Sequence, residues 1–123
     1  MITLEELYDK CEDNGACQEG LDLIKSCATV EELYEKGTPE WSYWLRRAVS
    51  DLPEDIQRMA ELKACEDPVY ACWLRCDVRD LPEEVQRKAE LKACEDPEFA
   101  YELRRNVSDL HLETLEKLKE IQC

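Results

Sequence analysis

Apolar residues recur at three- and four-residue spacings along nearly the whole chain, and from Asp51 onward the pattern returns every 29 residues. Asp51–Arg75 and Asp80–Arg104 agree at 18 of 25 positions, with Ala60–Pro68 repeated unchanged as Ala89–Pro97. A fixed period near 30 with helical spacing inside each copy points to paired helices, each burying its apolar stripe on its neighbours. The repeat reaches back in weaker form to about Thr29: Pro39, Pro68 and Pro97 are 29 apart, as are Trp41, Tyr70 and Phe99.

The elements follow from start and stop signals. Thr3 with Glu6, and Thr29 with Glu32, form capping boxes that open helices at Leu4 and near Val30. The first helix is expected to end near Cys11, before Asp13-Asn14-Gly15, and a second to run from about Ala16 to Cys27. Gly37 reads as the residue that closes the third helix in the left-handed conformation. Within each repeat, helix A opens with Thr-Pro or Asp-Pro (Thr38-Pro39, Asp67-Pro68, Asp96-Pro97), and the proline takes the first helical position. Helix B opens with Asp-Leu-Pro-Glu (Asp51–Glu54, Asp80–Glu83), whose Asp and Glu stand at capping-box spacing.

On helix B, Leu52, Ile56, Met59, Ala60, Leu62 and Ala64 cover an arc of about 200° at 100° per residue. Such an arc suits a helix touched on both sides. In the last copy Ile56, Met59 and Leu62 become Thr114, Lys117 and Glu120, and Trp44 and Trp73 become Glu102. These changes predict a polar outer face on a capping copy that ends the array at Cys123. The expected fold is all-α: one domain over residues 1–123, an N-terminal helical cap at 1–28, and repeats over 29–123. The repeats form a right-handed α-solenoid of antiparallel helix pairs, about nine helices in all.

The run DPxxAxxLR-xxVxDLPxxxQxxAELKACE resembles short αα-repeats of bacterial and phage proteins, broadly of HEAT type, over about Thr29–Cys123. The resemblance implies a scaffold that binds other proteins and carries no chemistry.

Charge narrows the partners. The net charge is -14, with 30 acidic and 16 basic residues and no basic block in either half. Phosphate backbones are bound by clustered Lys and Arg, so direct nucleic-acid binding is not expected, and a protein partner with a basic surface is. No apolar run is long enough to span a bilayer, and Met1–Lys10 reads as an amphipathic helix instead of a leader. The expected setting is the cytoplasm of a bacterial host. A second reading makes the chain a phage-type inhibitor, of anti-CRISPR or anti-restriction kind, whose acidic surface imitates nucleic acid.

No enzyme is expected: His111 is the sole histidine and the three glycines are scattered, which leaves no triad and no phosphate loop. The eight cysteines sit mostly inside helical patterns and read as reduced thiols. Cys72 and Cys76, with Cys65 near them in sequence, would make most of a zinc site, but CxxC spacing is absent; no metal or cofactor is expected. Arg46, Arg75 and Arg104 hold equivalent places on successive A helices. They form either a row able to grip carboxylates or phosphates, or local answers to acids such as Asp51, Asp80 and Asp109. Trp41, Tyr43, Trp44, Tyr70 and Trp73 read as core aromatics, with Trp41 and Tyr70 the candidates for a partner-binding patch. Lys63 and Lys92 fall within helix B's apolar arc, either with buried stems and wet ammonium groups or as desolvated amines.

Overall fold

A computed structural model describes residues 2–122, and among these all regular structure is helical. The helices are α1 (Leu4–Asp13), α2 (Gln18–Lys25), α3 (Val30–Lys36), α4 (Pro39–Ala48), α5 (Glu54–Ala64), α6 (Pro68–Asp77), α7 (Glu83–Ala93), α8 (Pro97–Asn106) and α9 (Leu112–Gln122). Cys123, the eighth cysteine and the expected end of the array, lies outside the described residues. No helix among them is long and apolar enough to cross a membrane.

Most helix starts are held as their residues dictate. Thr3 Oγ1 accepts from the Glu6 N–H and Thr29 Oγ1 from the Glu32 N–H, both at 3.1 Å. Asp67 accepts from the Val69 N–H at 2.8 Å, and Asp96 from the Glu98 N–H at 3.0 Å. Each of these satisfies one of the donors that a helix N-terminus leaves open. Pro39, Pro68 and Pro97 stand at the first helical position, where a missing N–H costs nothing.

Two expectations about helix ends are corrected. The Asp80/Glu83 capping box does not form: Pro82, at φ -59 and ψ 150, is itself the N-cap of α7, with no side-chain cap bond. Asp80 therefore lies two residues upstream of the cap. The Leu-Pro turn is held from the other side, by Gln86 Nε2 donating to the Leu81 carbonyl at 2.9 Å and by Gln57 Nε2 to that of Leu52 at 3.0 Å. Gly37 is not left-handed either; its φ is -68. It must be glycine for space, because a Cβ there would lie 2.9 Å from the Leu33 carbonyl oxygen. Gly15, at φ 84, does supply the left-handed turn after α1.

The chain divides into two compact units, Met1–Lys63 and Ala64–Cys123. In the first, Leu7, Cys11, Ile24, Leu33, Leu45, Val49 and Ile56 form a closed apolar core. In the second, α6 packs on α7 and α8, and α7 on α9, around Ala93, Ala100, Leu103, Val107 and Leu118. Full burial of each such Leu or Val contributes about 1.5–3 kcal/mol.

Three details of burial depart from the sequence reading. Trp73 is 43% exposed and meets Tyr70 edge-on at 5.4 Å between ring centroids. The stripe that α6 buries is Ala71, Cys72, Leu74, Arg75 and Val78, which turns the intervening Trp73 outward. On α5, Met59 and Leu62 are only half-buried, so the fully buried arc is narrower than the apolar one. On α9, Lys117 and Glu120 are exposed as expected, but Thr114 is fully buried, and Leu112 and Leu115 face solvent. The outer face of the last copy is thus not uniformly polar.

Candidate functional site

The repeated arginines lead inward. Arg46 is 6% exposed, Arg75 is 8%, and each donates through Nε to a fully buried glutamate 15 residues on: Glu61 at 2.6 Å and Glu90 at 2.7 Å. Arg104 has Lys119 at that offset and is exposed. Of the three arginines, two are therefore interior ties, and no common row at the surface is made from them. Arg75 also reaches the side chain of Asp109 at 3.1 Å, while Asp51 pairs with Lys10. Local acids answer these arginines, but the principal ones are Glu61 and Glu90 on helix B.

Around Glu90 the carboxylate is saturated. Besides Arg75 it accepts from Thr114 Oγ1 at 2.6 Å and from the His111 N–H at 3.0 Å, and His111 Nδ1 lies 3.0 Å away. Burial alone would raise its pKa; the bonds from Thr114, Arg75 and His111 outweigh that and hold it below the ordinary glutamate value. Arg75 stays protonated by the same balance: burial disfavours its charge, and Glu90 and Asp109 restore it. Around Glu61 the second donor is Arg58. These groups tie neighbouring helices together.

The seven cysteines among the described residues are not joined in disulfides, and no group of side chains there has the makings of a metal site. Cys11 is pushed up to about 11 by burial. Hydrogen bonding between Cys72 and Cys76 raises the first and lowers the second, so Cys76 is the one that ionises more readily. Lys63 lies 5.1 Å from the centre of the Tyr34 ring, and Lys92 Nζ is 3.1 Å from Glu95. Both ammonium groups thus have anionic or aromatic company near the surface.

The first unit carries a cleft of about 480 Å³, within the range of small-ligand pockets. The Gly15 turn, the start of α2, the end of α3 and the start of α4 surround it. Trp41 and Trp44 lie one helical turn apart on α4 and supply aromatic walls, and Leu23 adds an apolar one. Gly20 makes room for the first ring: a Cβ there would fall 2.4 Å from Trp41 Nε1. That indole nitrogen is buried with no hydrogen-bond partner, a cost of about 1–3 kcal/mol. Glu19 and Glu40 line the cleft as first-turn acids of α2 and α4. Lys36 lines it too, with its ammonium 2.8 Å from Glu32.

Sequence reasoning picked Trp41 but assigned no role to Gly20, Glu19 or Glu40. Nothing in their spacing marks them, because α2 and α4 lie outside one another's helical period. Tyr70, the other aromatic candidate, is half-buried in the second unit beside Trp73. Comparison of the chain with protein-family models, with characterised proteins and with solved structures finds no match.

Proposed function

We propose that this chain is a non-enzymatic binding protein, an acidic right-handed α-solenoid of 29-residue helix pairs that engages the basic surface of a partner protein, in a reducing cytoplasm. The observation that carries the reading is where the cations go. Arg46 and Arg75 are buried against glutamates, and Lys10, Lys36, Arg87 and Lys92 pair with neighbouring acids. Among the described acids only Glu61 and Glu90 are buried, so the carboxylate excess behind the net charge of -14 lies at or near the surface. Such a surface attracts basic proteins and repels nucleic acid and anionic membranes. The helix pairing is supported by α4, α6 and α8, each 10 residues long and opening on an equivalent proline, and by α5, α7 and α9, each 11 residues long.

The test is affinity capture on the immobilised protein after nuclease treatment, eluting with a salt gradient. The reading expects a basic protein that leaves as the Debye length shrinks from about 10 Å at 0.1 M toward about 3 Å at 1 M salt. Retention insensitive to salt, or retention of nucleic acid alone, overturns it. A captured nuclease or defence complex that added DNA displaces would assign the inhibitor that imitates nucleic acid.

A further inference from the structure

We propose that the Trp41–Trp44 cleft is a receptor for a single cationic side chain, a lysine or arginine presented by an exposed segment of the partner. The inference rests on the basic-partner reading and goes beyond it by naming the site and the group recognised. Three observations converge. The walls are aromatic and apolar: Trp41, Trp44 and Leu23. Tryptophan faces attract cations more strongly than other rings, and the aliphatic stem of Lys or Arg matches the leucine.

The charge at the cleft also favours a cation. Glu19 and Glu40 bring two full negative charges, and Lys36 is offset by Glu32 at 2.8 Å. The N-termini of α2 and α4 contribute only about half a positive charge each, which Glu19 and Glu40 exceed. Finally, the aromatic wall is fixed in place: Gly20 lets the Trp41 ring pack directly against α2, where any Cβ would fall 2.4 Å from its Nε1.

The probe is a capped Gly-Ser-Arg-Ser-Gly peptide, with its lysine, norleucine and glutamate counterparts. It is titrated into the full chain carrying Trp73→Phe, so that fluorescence reports on Trp41 and Trp44. Cys17 is exposed and lines the cleft, which gives a second readout: its alkylation rate by iodoacetamide. The expected result is saturable binding of the Arg and Lys peptides, at least about tenfold tighter than the norleucine peptide, or about 1.4 kcal/mol. Cys17 should be protected in parallel. The Glu19→Gln/Glu40→Gln variant alters two exposed side chains, so it should keep its fold and lose about tenfold in affinity for the Arg peptide.

Equal binding of the norleucine peptide, preference for the glutamate peptide, or no saturable signal overturns the cleft assignment. If the peptides fail while affinity capture still returns a salt-sensitive basic partner, the cleft assignment alone falls. If the peptides bind as expected and capture returns nothing basic, the basic-partner reading falls and the cleft remains a cation site.

Discussion

The two buried arginine–glutamate ties begin from the same sequence and end in different surroundings. Arg46–Glu61 and Arg75–Glu90 share the 15-residue offset and the Nε geometry, at 2.6 and 2.7 Å. In the first, the other donor is Arg58, one turn earlier on α5. In the second, the equivalent Arg87 turns away to the exposed Glu83 at 2.7 Å. Its place is taken by His111 and Thr114, which stand where earlier copies have Pro82 and Val85. One charge-assisted donor is replaced by a backbone N–H, an imidazole and a hydroxyl. A buried carboxylate must be met by donors, but neither their number nor their identity is fixed by the repeat.

The largest effect expected from breaking the comparison is at its centre. Glu90→Ala removes the buried partner of Arg75 and leaves it only the exposed Asp109, and should lower stability by about 3–5 kcal/mol in urea melts. Replacing the pair together, Arg75→Met with Glu90→Leu, should recover most of that loss. A single substitution costing under about 1 kcal/mol would mean that water reaches Arg75.

Next in size is Thr114→Val, which restores the β-branched apolar side chain of the earlier copies and removes a donor to a buried carboxylate. A cost of about 1.5–3 kcal/mol is expected, since bonds to charged groups are worth that much. Val85→Thr is the reverse exchange: it places a hydroxyl where Val85 is 1% exposed, and should cost about 1–3 kcal/mol unless the new hydroxyl finds an acceptor. If Thr114→Val is neutral, the second tie does not need its third donor.

Acid should weaken the second tie. Glu90's folded pKa is lowered, so its contribution is complete above the ordinary glutamate value, about 4.3, and is lost as pH falls through the lower folded value. The stability gap between the wild type and Glu90→Gln should therefore narrow on acidification from pH 7 toward 3. A gap that is constant or widens contradicts the sign of the shift.

The smallest effect is expected in the last copy, where Lys119 stands at the tie's 15-residue offset from Arg104 and both are exposed. Lys119→Glu rebuilds the Arg–Glu spacing at an exposed position and should change stability by no more than about 1 kcal/mol, with a gain that salt removes. Arg104→Ala should stay within about 0.5 kcal/mol.

The helices were legible because their signals are local. Thr3, Thr29, Asp67 and Asp96 hold the backbone N–H groups their spacing indicates, and the prolines after them start α4, α6 and α8. What was misread depends on what lies across the fold. Thr114 looked outward-facing because hydroxyls usually are, yet its partner Glu90 is 24 residues away and buried. Glu61 and Glu90 lie in the run repeated unchanged, but a charged residue in a helix pattern reads as solvated. Trp73 was assigned inward because it shares an aromatic set at helical spacing and gives way to Glu102 in the last copy, whereas the stripe set by Ala71, Leu74 and Arg75 turns it out. Trp41 could be picked, but the cleft beside it is set by Gly20, whose role appears only once the Trp41 ring is against it.

The central claim is that the repeated arginine is an internal tie and not a contact for partners. A double-mutant cycle on Arg75 and Glu90, using Arg75→Met and Glu90→Leu, tests it most directly through the coupling energy in urea melts. A coupling of about 2 kcal/mol or more, within the range seen for residues sharing a buried network, is the predicted result. Coupling below about 0.5 kcal/mol, with Arg75→Met leaving stability intact but abolishing capture of the partner, would return Arg75 to the surface and contradict the account.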